Sequence, residues 1–136
     1  MSEQDLQDLR LLESQAAALL ILTYGYILEY VSAVQGIQVI KNKYTENDFE
    51  NDPDPDILAV LGAQYQLFAQ MILVQISAAQ YKSYQEHYQN KDLNAAKSAT
   101  YEVYASDIIE LVAYIVALIG VKDIAKTNHE GPVYGV

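Results

Sequence analysis

The chain has 136 residues, a formal net charge of −10 at pH 7 and no cysteine. Eighteen acidic residues against eight basic ones argue against nucleic acid binding and against docking on an anionic membrane, since both depend on Lys and Arg. The lack of cysteine excludes disulfides, thiolate metal sites and cysteine nucleophiles. Only 19% of the residues are charged, against roughly 25% in an average soluble domain, so much of the surface is expected to be covered.

The N-terminal segment predicts a first long helix over about residues 3–42. Ser2 followed by Asp5 is typical of a capping box, in which each residue bonds the backbone N–H of the other. The segment is acidic and has no basic n-region, so no secretory signal peptide is expected. The two glycines inside the helix, Gly25 and Gly36, are the positions where it could bend.

An acidic loop is predicted over Tyr44–Asp56, which has six acidic residues and no basic one. Asp54 and Pro55 are typical of a helix N-cap followed by proline at the first helical position. The spacing of Asp52, Asp54 and Asp56 resembles the start of a calcium loop, but prolines occupy the intervening positions and the required glycine and closing glutamate are missing. The loop is therefore predicted to face solvent, without a metal.

A second helix is predicted over about residues 55–89, and its centre is Ile57–Tyr81. This centre has no charged residue but five glutamines. At about 100° per residue the glutamines divide between two opposite faces of the helix. Gln64 and Gln75 share one face, and the other face has Gln66, Gln70 and Gln80. An unpaired amide in hydrocarbon costs on the order of several kcal/mol, so such a helix is expected to have protein neighbours on two faces.

A third helix is predicted over about residues 92–126, followed by an extended C-terminal tail over about 127–136. The three long apolar segments, joined by short connections, predict an all-α fold. The expected architecture is a single-domain antiparallel bundle of three long helices, or four if one of them breaks.

Residues with catalytic chemistry are few. His87 and His129 are isolated, and neither a Glu-x-x-His nor a His-Glu-x-x-His spacing occurs. Glu29 and Glu110 are the carboxylates inside apolar helix segments, and Glu29 is expected to face solvent or a tyrosine hydroxyl. The sequence therefore predicts no catalytic site, no cofactor and no metal, and a soluble helical enzyme or binding module is the least favoured class.

These helices are apolar on nearly all of their faces. The pattern therefore predicts that other protein or lipid covers the faces that are not packed within the chain. Copies of the chain itself are the favoured cover, through non-closing contacts that build a helical or tubular lattice. The alternative is a small integral membrane protein with up to three spans, holin-like or a transporter accessory, since the second segment is long enough to cross a bilayer. The predicted assembly contacts are Gln64, Gln66, Ala69, Gln70, Gln75, Ala78 and Tyr81.

Two features give the chain a family resemblance. It has long apolar helices, such as Leu19–Ile40 and Ile57–Tyr81, and its composition is free of cysteine and rich in Tyr, Ile and Gln. It resembles the capsid proteins of large tailed spindle-shaped archaeal viruses. The resemblance implies a helical-bundle fold that packs by hydrophobic contact into helical tails and deformable envelopes. It also implies a location in the virion, with a membrane location as the alternative.

Overall fold

A computed structural model describes residues 1–45, 52–87 and 94–130. Three helices make up the described chain: α1 (Glu3–Tyr44), α2 (Pro55–His87) and α3 (Asn94–Glu130). None of the described residues forms a strand. The predicted all-α bundle of three long helical segments is confirmed.

Local sequence explains where the first two helices begin. The Ser2 amide donates to Asp5 Oδ2 at 2.8 Å and the Asp5 amide donates to Ser2 Oγ at 3.1 Å, which completes the predicted capping box. Hydrogen bonding of the Asp5 carboxylate by the side chain of Ser2, and then by its backbone amide, lowers the pKa of Asp5. At α2 the Asp56 amide donates to Asp54 Oδ1 at 3.0 Å, so Asp54 caps the helix that Pro55 opens.

The first helix passes through Gly25 and Gly36 without a break, so the described chain has the three predicted helices and not the alternative count of four. One predicted boundary differs from the structure. The last helix extends to Glu130, so residues 127–130, predicted as part of an extended tail, are helical. Residues 46–51 of the predicted acidic loop and residues 131–136 of the predicted tail lie outside the described residues.

α1 packs against α2 through a seven-residue repeat, the spacing of a left-handed coiled-coil seam. The α1 side of this seam is the row Gln4, Leu11, Ala18, Gly25, Ser32 and Val39, which is buried or half-buried throughout. The two helix backbones lie very close at Gly25, where an added Cβ atom would be 2.8 Å from the carbonyl oxygen of Gly62. One heptad further on, Ser32 Oγ donates to the carbonyl oxygen of Pro55 at 2.7 Å.

α3 packs on a different flank of α2 with the same period. The α2 row Asp56, Ala63, Gln70, Ser77 and Tyr84 is buried or half-buried. Within it, Gln70 Nε2 donates to the carbonyl oxygen of Asp107 at 3.0 Å. Near the other end, the ring of Tyr81 lies 5.6 Å from that of Tyr101 and 6.1 Å from that of Tyr104.

The helices form a V in cross-section with α2 at its vertex. Among the described residues, no Cα atom of α1 lies within 8 Å of one in α3. The two outer helices still meet through long side chains, because the hydroxyl oxygens of Tyr26 and Tyr114 are 2.6 Å apart. No three-way core therefore forms along the described part of the bundle.

The core is small and unusually polar. Its buried apolar residues in the described chain are Ala18, Leu28, Ala63, Ala69 and Ile76. Its buried polar residues there are Ser32, Gln66, Gln70 and Ser77, and of these the Gln70 side chain is fully buried. Small side chains at the seams allow close packing, but they leave the larger apolar side chains outside.

Candidate assembly surface

The vertex of the V presents an apolar surface that no other described helix of the chain covers. α2 uses one flank for α1 and another for α3, and its third flank faces outward. We call this flank the outer stripe; it consists of Ile57, Leu61, Gln64, Phe68, Met71 and Gln75, all exposed. The residues follow one another at spacings of four, three, four, three and four. That is the a/d spacing of a helix that packs against another helix.

The outer stripe contains a shallow depression suited to a side chain. Leu61, Gln64, Tyr65 and Phe68 line a volume of about 280 Å³ that opens to solvent. Their spacing of i, i+3, i+4 and i+7 is that of the four residues surrounding a coiled-coil hole. Phe68 is 55% exposed and Met71 is 49% exposed, so large apolar side chains border this depression on the surface.

The structure divides the predicted contact residues between the interior and the surface. Gln64 and Gln75 lie in the outer stripe, as the helical spacing of the glutamines indicates. The prediction also placed Gln66, Ala69 and Gln70 at subunit contacts, but these are buried within the chain at 3%, 0% and 0% exposure. They face the inner side of α2, where α1 and α3 already occupy the space a second copy would need.

The remaining two predicted contact residues are half-buried. Ala78 lies on α2 beyond Gln75, one step of the a/d spacing further along. Tyr81 packs against the tyrosines of α3 described above, so its ring is committed to contacts within the chain. The prediction missed Leu61, Phe68 and Met71. Their shared spacing with Gln64 and Gln75 is the signal in the sequence that could have found them.

The two buried amides are only partly satisfied. Gln70 Oε1 and Gln66 Nε2 are buried without a hydrogen-bond partner, although Gln70 Nε2 bonds Asp107. One atom is an acceptor and the other a donor, and the residues are one helical turn apart. Buried polar atoms of this kind are commonly bridged by a water. These amides therefore belong to the interior chemistry of the bundle, not to its surface.

Large apolar side chains are also exposed along the outer helices. On α1 the most exposed in the apolar segment are Leu20, Ile27, Tyr30, Ile37 and Ile40, at 51–72%. On α3 they are Ile109, Val112, Val116, Ile119 and Ile124, at 55–70%. Monomeric soluble proteins rarely expose contiguous apolar patches larger than a few hundred Å². All three helices thus contribute exposed apolar side chains.

A polar cluster bridges the open side of the V near its middle. Burial raises the pKa of Tyr114, and the hydrogen bond with the Tyr26 hydroxyl raises it further. Glu110 and Glu29 add to the rise because their negative charges oppose a nearby phenolate. Glu29 is half-buried and Glu110 is exposed. The expectation that Glu29 faces solvent or a tyrosine hydroxyl stays a prediction.

A second polar cluster joins the start of α2 to the end of α3. Ligand-type atoms of Asp54, Asp56 and His129 lie within 4.8 Å of one another. Each side chain already has a partner within the chain: His129 Nε2 is 3.0 Å from Asp54 Oδ2, and Asn128 Nδ2 donates to Asp56 Oδ2 at 2.9 Å. These bonds fasten the two helix ends together. The absence of a metal site here stays a prediction.

Comparison with protein-family models, with curated proteins and with solved structures finds no match for this chain. By length and composition, α1 and α2 could each cross a membrane, and both contain an 18-residue window of high mean hydropathy. Core helices of soluble proteins also meet this criterion, but such helices are mostly buried. Here only 11% of the α1 window and 28% of the α2 window are buried. The helices are thus apolar without being covered by the chain itself.

Proposed function

We propose that the protein is a non-enzymatic structural subunit that self-assembles through its apolar helix faces. The observation that carries the proposal is the exposure of large apolar side chains along all three described helices. The residues named above are 51–72% exposed on α1 and 55–70% exposed on α3, and Phe68 on α2 is 55% exposed. Burial of such side chains between copies would stabilise an assembly at about 25 cal/mol per Å² of apolar surface.

Carboxylates and amides at the middle of the bundle favour protein over lipid as the cover. Glu29 and Glu110 are each about one helical turn from the Tyr26–Tyr114 pair, at a level where apolar side chains surround the bundle. Acidic side chains at the centre of a membrane cost about 3 kcal/mol each on insertion scales. Gln64 and Gln75 add exposed amides to the outer stripe. A neighbouring protein surface can supply hydrogen-bond partners for all of these groups, whereas lipid cannot.

The specific form we propose is a helical or tubular lattice, such as the tail or capsid of a virion. Contacts between unlike surfaces, related by a rotation that does not close, produce open helical arrays. The exposed faces of α1 and α3 lie on opposite arms of the V and could supply such contacts. The viral assignment is supported by the sequence resemblance alone, while the proposal of self-assembly is supported by the exposed surface.

The proposal is tested by measuring the mass and shape of the purified chain in water without detergent. Analytical ultracentrifugation and electron microscopy should find oligomers, tubes or filaments. Val116, which is 63% exposed on α3, is the position to disrupt. Val116→Glu should reduce assembly without loss of helical circular dichroism. Lys122→Glu, on an exposed polar position of the same helix, is the matched control and should assemble normally. A wild-type chain that stays monomeric and soluble would overturn the proposal.

A small integral membrane protein remains the second candidate. It is favoured by the low burial of the apolar windows in α1 and α2. In that case the purified chain should require detergent and should float with lipid vesicles in a density gradient. Gln75→Leu separates the candidates, because an exposed amide replaced by leucine should improve insertion into lipid. In a protein lattice the same substitution would remove a hydrogen-bonding group from a contact.

A further inference from the structure

The residues of the outer stripe of α2 are arranged symmetrically about its centre. Phe68 and Met71 lie at its centre, and Gln64 and Gln75 lie on either side of them at equal distances along the helix. We propose that the outer stripe packs antiparallel against the outer stripe of a second copy, about a two-fold axis between Phe68 and Met71. This inference rests on the proposed self-assembly and names one of its contacts.

The proposed register pairs like chemistry with like chemistry. Gln64 of each copy faces Gln75 of the other, so the two amides can hydrogen-bond across the contact in two symmetrical places. Phe68 of each copy faces Met71 of the other, which places aromatic rings against thioether side chains in a favourable apolar pairing. Leu61 faces the small Ala78. Since each pair joins an a position to a d position, the register follows the layering of antiparallel coiled coils.

The depression in the outer stripe supports a helix as the occupant. It is surrounded by Leu61, Gln64, Tyr65 and Phe68, a coiled-coil hole about 280 Å³ in volume. In the antiparallel register the side chain that enters it is Gln75 of the second copy. The amide of Gln75 then lies beside the amide of Gln64, so the exposed Gln64 side chain gains a hydrogen-bond partner. α3 borders the first part of the outer stripe, where Ala125 and His129 line a depression together with Ile57, Leu61 and Gln64. The side chains of Leu61, Gln64 and Phe68 are nevertheless exposed.

The charges at the two ends of the outer stripe favour antiparallel over parallel packing. Asp56 precedes the stripe, and Lys82, whose side chain is 75% exposed, follows it. A parallel contact would place Lys82 against Lys82, which is repulsive. The antiparallel contact brings Lys82 of each copy next to Ile57 of the other, so the two lysines lie far apart. It also aligns the two helix dipoles favourably.

Cysteine cross-linking tests this register directly, because the native chain has no cysteine. Gln64→Cys and Gln75→Cys both change exposed residues, so the fold should tolerate them; circular dichroism checks this. Treatment with a short bifunctional thiol reagent should yield cross-linked dimer when the two variants are mixed. Neither variant alone should react in this way, since the thiols of two copies of the same variant would be about 16 Å apart along the axis. Gln38→Cys, an exposed position on α1, mixed with Gln75→Cys is the control for random collision and should give no dimer.

The outcomes separate this inference from the function on which it rests. Cross-linking of Gln64→Cys with itself would show parallel packing and would overturn the proposed register. Equal cross-linking in the Gln38→Cys control would mean that the reaction reports random collisions. A chain that assembles but shows no cross-link between positions 64 and 75 would use other surfaces. Either result overturns the proposed register and leaves the proposal of self-assembly intact. A wild-type chain that is monomeric by ultracentrifugation overturns both.

Discussion

Gly25 and Gly62 meet backbone to backbone at the crossing of α1 and α2. A Cβ atom built on Gly62 would lie 2.7 Å from the carbonyl oxygen of Gly25, and one built on Gly25 would lie 2.8 Å from that of Gly62. Contacts this short leave no room for a methyl group, and a helix backbone cannot move aside as a flexible side chain can. The glycine pair therefore sets how closely the two helices approach.

Alanine at either glycine of this crossing should destabilise the protein. The added methyl group overpacks the contact, and we expect Gly62→Ala to lower the free energy of unfolding by about 1–3 kcal/mol. Gly36→Ala and Gly120→Ala are the matched controls, because a Cβ atom at those positions meets nothing within 4 Å. Each control should raise the free energy of unfolding by up to about 1 kcal/mol. Urea denaturation at one protein concentration measures all of them. Equal stabilities for Gly62→Ala and Gly36→Ala would contradict the close crossing.

Removal of the Tyr114 hydroxyl should change how stability depends on pH. Burial, the Tyr26 hydroxyl and the two nearby glutamates raise the pKa of Tyr114, so the folded state favours the neutral phenol. The contribution of Tyr114 to the free energy of unfolding is complete below the ordinary tyrosine pKa of about 10, and it is lost as the pH rises from that value through the raised pKa of the folded state. The wild-type free energy of unfolding should therefore fall more steeply above about pH 10 than that of Tyr114→Phe.

Denaturation curves collected in steps from neutral to strongly alkaline pH measure this difference. Tyr30→Phe, at a tyrosine that is 70% exposed, is the control and should follow the wild type. Parallel curves for the wild type and Tyr114→Phe would show that the folded state does not raise the pKa of Tyr114.

Gln70 offers a test of the polar interior. Gln70→Leu removes one hydrogen bond to Asp107 but also removes a buried oxygen without a partner, so the stability should change by less than about 1 kcal/mol. Gln70→Glu would bury a charge at a site with no exposure and should cost about 3–5 kcal/mol. Thermal unfolding compares the two, with Gln75→Glu as the exposed control. A tolerated Gln70→Glu would mean that this side chain reaches solvent.

Ala69 tests whether the inner side of α2 is buried within the chain itself. Ala69 has no exposure, so Ala69→Glu should unfold the protein or cost several kcal/mol, because an unpaired charge enters the buried side of α2. Ala17→Glu, at an exposed position on α1, should leave the helical circular dichroism and the melting temperature nearly unchanged. If Ala69→Glu folded normally and lost only self-association, Ala69 would lie at a subunit contact.

The helices could be predicted from the sequence because their signals are local. The capping box at Ser2 and Asp5 and the cap at Asp54 lie within a few residues of what they bond, and both are observed. The division of the glutamines into two faces also follows from helical spacing alone. Which face points inward depends on where α1 and α3 pack, and Gln66 and Gln70 were therefore assigned to the wrong surroundings.

Contacts between distant segments could not be predicted in the same way. Gly25 looked like a place for the helix to bend, because glycine weakens a helix and its partner Gly62 is far away in the chain. The Tyr26–Tyr114 bond joins residues 88 positions apart, and the chain has twelve tyrosines from which to choose. Such pairs are set by the register of whole helices, which no single stretch of sequence contains.

The V-shaped cross-section leaves α1 and α3 joined mainly through their separate seams with α2 and through the Tyr26–Tyr114 hydrogen bond. We therefore expect the angle between the two arms to change more easily than in a bundle with a three-way core, where packed side chains would have to deform. In the proposed assembly, copies of the chain could then differ slightly in arm angle at low energetic cost. Such an array would be able to follow surfaces of different curvature without a change in sequence.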